Sequence, residues 1–157
     1  MTYQVRPALP SDTDFIISLL ARLSEFDLPQ WRSRHEIDNT NLLSIKNALQ
    51  QLKPDSLILV AVEKAGVAVG FIHLQTQTDF FSGEKQGYIS ELVVERSCEG
   101  RGIGLLLLER AEEWACTNGH SLLSLNVFAD NSRARQMYTK NGFEEEVVKY
   151  IKVLGKR

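Results

Sequence analysis

The stretch from Gly87 to Trp114, GYISELVVERSCEGRGIGLLLLERAEEW, constrains this chain more than any other. It reads as strand, tight glycine-rich turn, then helix. Residues 88–94 are rich in β-branched and aromatic side chains, the composition of a half-buried strand. Gly100, Gly102 and Gly104 follow at alternate positions. Glycines so placed let the backbone take positive φ and clear side chains from the path of a ligand. A helix starting near Ile103 begins inside the turn, so its first N–H groups have no intrahelical partner and the positive end of its dipole faces the loop. Such a helix start attracts anions. The pattern points to a phosphate or pyrophosphate seat between Cys98 and Leu105, and a glycine turn without a ligand is the alternative. The dinucleotide fingerprint G-x-G-x-x-G fails in both registers, because its last position is Leu105 or Leu107. The P-loop pattern fails because no Lys-Ser or Lys-Thr follows the glycines.

The elements around this stretch follow from periodicity. Residues 3–6 form a short strand stopped by Pro7 and Pro10, and Ser11 is the expected cap of a first helix carrying Phe15, Ile16, Leu19, Leu20 and Leu23. Leu42, Leu43, Ile45, Leu49 and Leu52 mark a second helix ending before Pro54. Residues 24–53 therefore read as a helical excursion, either a substrate lid or a packed helix pair remote from any ligand. Residues 56–63 and 67–77 are strands joined at Lys64-Ala65-Gly66, and with 88–94 they make an antiparallel meander. The helix over 103–118 ends at Asn118-Gly119. Residues 122–128 form the next strand, parallel to 88–94 by the crossover rule. Asp130 or Asn131 caps a helix to about Lys140, and residues 143–154 supply one long or two short closing strands. The expected fold is mixed α/β (α+β), one domain over residues 1–157. Its central sheet is mostly antiparallel, with six to seven strands and helices on both faces.

Composition excludes several classes. Eighteen basic against twenty acidic residues give a net charge of −2, against the basic excess of a nucleic-acid binder. No apolar run approaches the ~20 residues of a membrane span. Residues 1–20 lack the apolar core of a signal peptide. Cys98 and Cys116 have no metal-ligand spacing, so no metal is expected and a reduced, cytoplasmic protein is the simplest reading.

The order of elements, the glycine turn after the fourth strand, and Asn131-x-x-Ala134-x-x-x-Tyr138-x-x-x-Gly142-Phe143 together resemble the GNAT N-acetyltransferase superfamily. The resemblance spans essentially the whole chain and is most specific over residues 88–143. It implies acetyl-CoA as co-substrate, bound where strands four and five splay apart. The pantetheine arm would pair with Leu92, Val93 and Val94 as an added strand. The pyrophosphate would sit on the turn Glu99, Gly100, Arg101, Gly102, Ile103, Gly104 and Leu105, mostly on main-chain N–H groups, with Asn131 and Tyr138 completing the site. The family writes this turn R/Q-x-x-G-x-G/A, so Glu99 stands where relatives carry Arg or Gln. A carboxylate beside a pyrophosphate is unfavourable unless it points away, and Arg101 or Arg96 is the substitute cation. The family also carries a bulge in strand four that frees an N–H toward the thioester carbonyl, expected here near Leu92–Val93.

Acetyl transfer to an amine poses two proton problems. An alkylammonium, pKa about 10.4, must lose a proton before it attacks, and the departing thiolate, about 8.5, gains from a donor. By family position Tyr138 is the donor. Glu91 is the candidate base, directly or through water, and His73 in strand three is the other candidate. Alternation sets Ile89, Glu91 and Val93 on one face and Tyr88, Ser90, Leu92 and Val94 on the other. A solvated or ion-paired strand glutamate is the bland reading of Glu91. Cys98 has no nearby histidine, so direct attack in a ternary complex is preferred to a covalent intermediate. The acceptor is a small-molecule or protein primary amine. The alternatives are a non-catalytic acyl-CoA-binding regulatory module and, disfavoured by the failed fingerprints, a nucleotide-binding domain. Homodimers are common in such folds, and exposed apolar area on the closing strands would mark one.

Overall fold

The computed structural model describes residues 2–155. One sheet of five strands runs in chain order: β1 (Tyr3–Pro7), β2 (Leu57–Glu63), β3 (Ala68–Thr78), β4 (Lys85–Val94) and β5 (Leu123–Leu125). The first four are antiparallel neighbours, and β5 joins β4 in parallel, as the meander and crossover rules require. Two helices, α1 (Thr13–Leu19) and α2 (Arg34–Gln50), lie between β1 and β2. Next come α3 (Ile103–Thr117), between β4 and β5, and α4 (Ser132–Lys140) after β5.

Alternation along the strands builds two cores. Ile58, Val60, Val62, Phe71 and Val93 pack with Ile16, Leu19, Leu20 and Ile45 from α1, α2 and the turn between them. Leu59, Ala61, Ile72, Leu74 and Ile89 pack on the opposite face with Ile103, Leu107, Leu108 and Ala111 of α3. Helices thus cover both faces. Gly70 permits the close approach of β3 to β4: a Cβ there would stand 2.9 Å from the Val93 carbonyl oxygen.

Several expectations are corrected. The sheet has five strands, not six to seven. Residues 122–128 contribute only Leu123–Leu125, because β4 pairs with three residues there and the chain beyond has no ladder. Residues 143–154 contain neither strand, turn nor bend. Their composition suits a strand, but among the described residues no strand pairs with them. Ser11 sits within a 3-10 turn (Pro10–Asp12) rather than capping α1. Asp12 does the local work: its carboxylate accepts from the Leu9 N–H at 2.7 Å and from Arg6 at 2.7 and 3.1 Å. The second helix starts earlier than Leu42 because Ser33 and Glu36 form a reciprocal capping box.

Candidate active site

The sheet opens between β4 and β5. They pair at Gly87–Leu123, Tyr88–Ser124 and Ile89–Leu125, and no further. From Glu91 to Val94, β4 keeps β3 on one side and, among the described residues, has no strand on the other. Leu92, Val93 and Val94, the expected pantetheine partners, lie in this one-sided stretch. The Val94 carbonyl already accepts a hydrogen bond from the Arg22 guanidinium.

The chain leaves β4 into the glycine turn. Gly100 (φ 75°) and Gly102 (φ 80°) take the left-handed conformation, and Gly102 caps α3. Within α3 the first bond to the turn runs from Leu106 N–H to Gly102 C=O at 3.0 Å. The N–H groups of Ile103, Gly104 and Leu105 are therefore the free donors of this helix start. A Cβ at Gly102 would meet nothing within 4 Å, so the space over the turn is open. Gly104 has another role: a Cβ there would stand 3.4 Å from Met137 Sδ, so its absence brings α3 onto α4.

Glu99 is not a bare carboxylate. It bonds Arg133 at the start of α4, at 2.5 Å, and Arg22 from the turn Leu20–Ser24. Those hydrogen bonds, Arg133's first and Arg22's second, hold its carboxyl below the usual range. Arg22 and Arg133 are thus the cations at this turn. Arg101 reaches instead to the Tyr3 hydroxyl at 3.4 Å, and Arg96 pairs with Glu25.

Glu91 and His73 come together. They face each other across β3 and β4, both almost fully buried, with His73 Nδ1 2.7 Å from Glu91 Oε2. Ser44 of α2 points its hydroxyl at Glu91 Oε1 from 3.4 Å, so the helical excursion does reach this pair. The two separate base candidates are one unit. The bulge lies between Ile89 and Glu91, at Ser90, rather than near Leu92–Val93: His73 pairs with Glu91 while Leu74 pairs with Ile89. One extra residue shifts the period-two alternation. Ile89 therefore joins the α3 core while Val93 joins the α1–α2 core, against the expectation that they share a face.

Tyr138 packs on the α3 side, edge-on to Phe143 with ring centroids 5.6 Å apart. Burial pushes its phenol up to about 12, with no hydrogen bond contributing. It therefore holds its proton throughout the neutral range. Asn131 caps α4, its side-chain oxygen accepting from Ala134 N–H at 3.4 Å. Tyr138 and the Glu91–His73 pair lie against different faces of the sheet, on either side of the β4 stretch that lacks an outer neighbour. Ser44 and Arg22 were not legible as site residues. Each lies in a helical segment whose periodicity reports only its packed face.

A mixed sheet opened beside a glycine turn that starts a helix defines the acetyltransferase class of fold. A solved structure described as a putative acetyl transferase from Pyrococcus furiosus superposes with a TM-score of 0.78 at 24% identity, covering 98% of this chain and 100% of that one. The sequence profile of the acetyltransferase (GNAT) family matches residues 20–143, and the chain belongs to that family of acetyl-CoA-dependent acyltransferases. Among relatives, an uncharacterized N-acetyltransferase of Bacillus subtilis is 29% identical, over 90% of each chain. The aminoalkylphosphonate N-acetyltransferase of Salmonella typhimurium is 28% identical, over 96% of this chain and 91% of its own.

Proposed function

We propose that the protein transfers the acetyl group of acetyl-CoA to a small primary amine by direct attack in a ternary complex. The observation that carries this reading is the opening of the sheet beyond Ile89 and Leu125, flanked by Glu91–His73 and Tyr138 on opposite faces. The residues present suit acetyl-CoA. Open space over Gly102 and the free N–H groups of Ile103, Gly104 and Leu105 match a pyrophosphate, and the paired Glu99 presents no unbalanced negative charge to it. Leu92 and Val93 offer strand-edge groups to a pantetheine amide chain, and Asn131 is the further polar contact for it. When bound, acetyl-CoA supplies an activated thioester.

Glu91 and His73 accept the proton that the amine must lose, directly or through one water. A carboxylate bonded to an imidazole can pass a proton on rather than retain it. Tyr138 supplies a proton to the departing thiolate, and its unbonded hydroxyl is free to turn toward that atom. The Salmonella relative's name, an aminoalkylphosphonate N-acetyltransferase, favours a compact anionic amine as acceptor.

The test is thiol release from acetyl-CoA across a panel of amines, aminoalkylphosphonates, amino sugars and peptide N-termini included. Turnover with one small-amine class, falling 10²-fold or more in Tyr138→Phe at unchanged acetyl-CoA affinity, is the expected result. Tight acetyl-CoA binding with no thiol release on any amine would instead identify a non-catalytic acyl-CoA-binding module.

A further inference from the structure

The sheet face that carries Glu91 and His73 continues past them as a patch of uncharged polar side chains. Leu74 and Ile89 pair across β3 and β4, and both pack on the α3 side. Their strand neighbours Gln75 and Tyr88, also paired, therefore point to the α1–α2 side, the side of His73 and Glu91. Ser124 lies opposite Tyr88 on β5, between Leu123 and Leu125 of the α3 core, so it points the same way. Ser90, the extra residue of the bulge, turns its hydroxyl to Gln75 on this face. The patch is open: Gln75, Tyr88, Ser90 and Ser124 are half-buried, and Asn126 is exposed.

One hydrogen-bond pattern repeats across it. Gln75 donates its amide to the Ser90 oxygen at 2.5 Å, Gln86 to the Ser124 oxygen at 3.3 Å, and Asn126 to the Tyr88 oxygen at 3.3 Å. A hydroxyl whose oxygen accepts in this way still has its own proton to give. Ser124 gives that proton to the Gly87 carbonyl at 3.4 Å. Among the described residues, the Tyr88 and Ser90 protons have no acceptor. Burial raises the Tyr88 phenol above its ordinary value, the Asn126 bond pulls it down, and the charge of Glu91 pushes it up again. Two anchored donors thus stand beside the buried carboxylate, where β4 is about to lose β5 as a neighbour.

We infer that Tyr88 and Ser90 bind an oxygen atom of the acceptor while its amine meets the Glu91–His73 pair beside them. The acceptor is then a primary amine that carries a hydroxyl or a phosphonate on a short carbon spacer. This rests on the acetyl-transfer reading and names the acceptor class for it. Adjacent Cα atoms are about 3.8 Å apart, so groups held at Glu91 and Ser90 lie only a few ångströms from each other. A plain alkyl chain laid on the patch would strip water from two donors and return no bond, which is costly. An oxygen at that place satisfies both.

The experiment is calorimetric titration of ethanolamine, aminoethylphosphonate and propylamine into the full chain saturated with CoA, which needs no turnover. At least one oxygen-bearing amine is expected to bind about tenfold or more tighter than propylamine. Tyr88→Phe and Ser90→Ala are each expected to cut that preference by about three- to tenfold and to leave propylamine affinity unchanged. Ser124→Ala, whose proton is already taken within the sheet, should leave the preference intact. Unchanged circular dichroism confirms the fold of each variant. In thiol release with acetyl-CoA, the first two variants should raise KM for the oxygen-bearing amine at unchanged kcat. Equal affinity for all three amines overturns the inference, as does a preference that survives both Tyr88→Phe and Ser90→Ala. The preference without thiol release would keep this acceptor site and refute acetyl transfer. Thiol release with no preference over propylamine would keep acetyl transfer and refute the site.

Discussion

Replacing Gly102 separates the conformational role of the glycine turn from its electrostatic role. The residue sits at φ 80°, and a Cβ there would touch nothing within 4 Å. Alanine therefore meets no steric clash and carries only the left-handed backbone penalty, about 1–2 kcal/mol. For a domain of this size that lowers Tm by roughly 2–8 °C. Glutamate carries the same backbone penalty plus a negative charge over the free N–H groups. If a pyrophosphate binds there, one unit charge ~6 Å from one phosphate charge costs about 3 kcal/mol at an effective dielectric of 20, or ~100-fold in affinity. A side chain that swings outward still leaves about tenfold. Calorimetric titration of acetyl-CoA and CoA into wild type, Gly102→Ala and Gly102→Glu measures both effects. The expected result is two variants with matching Tm and widely different Kd, the gap narrowing in 0.5 M salt as screening shortens the reach of the charge. Equal Kd for the alanine and glutamate variants would refute the placement of the phosphates on this turn.

Other perturbations address the proposed base, the phenol and the scaffold. Glu91→Gln keeps a partner for His73 but accepts no proton, so kcat should fall 10²–10⁴-fold while acetyl-CoA affinity, read by calorimetry, is unchanged. Because burial holds the Tyr138 phenol up at about 12, the pH–rate profile should show no loss from its ionisation below pH ~10. The Arg6 hydrogen bonds hold the Asp12 carboxyl below its ordinary 3.8. A lowered carboxyl stabilises the fold above that value and loses the contribution as pH falls through the folded one. Asp12→Asn should therefore cost about 1–3 kcal/mol at neutral pH in urea titration and flatten the acid limb below pH 4. Gly70→Ala forces a Cβ against the Val93 carbonyl and should cost ~1–3 kcal/mol, with a matching fall in Tm.

The sequence made the scaffold legible because its signals are local. Three β-rich runs with tight turns dictate a meander, and a strand–helix–strand run dictates a parallel neighbour. Ser33 and Glu36 did carry the signature of the α2 start, which apolar spacing alone placed too late. The bulge at Ser90 had no decisive signature: Tyr-Ile-Ser-Glu-Leu holds two apolar and then two polar residues, and only the β3 register shows that Ser90 is the extra one. Glu91 and His73 were each visible as odd residues in apolar strands. Their pairing depends on a cross-strand register that no local pattern encodes. The missing closing strands have another cause. β-propensity reports that a segment suits a pleated surface, and the partner that supplies that surface is not encoded in the propensity.

Glu99 shows how a departure from a family pattern is absorbed by its surroundings. On its own, a carboxylate at this turn would oppose the pyrophosphate proposed to sit there. Here it draws Arg22 from the turn Leu20–Ser24 and Arg133 from α4 to one point beside the glycines. The result is a local excess of positive charge, delivered by two elements distant in sequence from the glycines. Arg22 also bonds the Val94 carbonyl, so the same guanidinium ties the end of β4 to the carboxylate. Where the family pattern calls for one arginine or glutamine, this chain holds a three-residue bridge of Glu99, Arg22 and Arg133. Glu99→Gln would release both arginines from their carboxylate. If they then serve the phosphates, acetyl-CoA binding tightens while the turn Leu20–Ser24 loosens against β4, a trade that titration and hydrogen exchange at residues 20–24 read separately. Weaker binding in that variant would show instead that Glu99 positions the two guanidiniums, and that the carboxylate contributes to the seat by holding its cations in place.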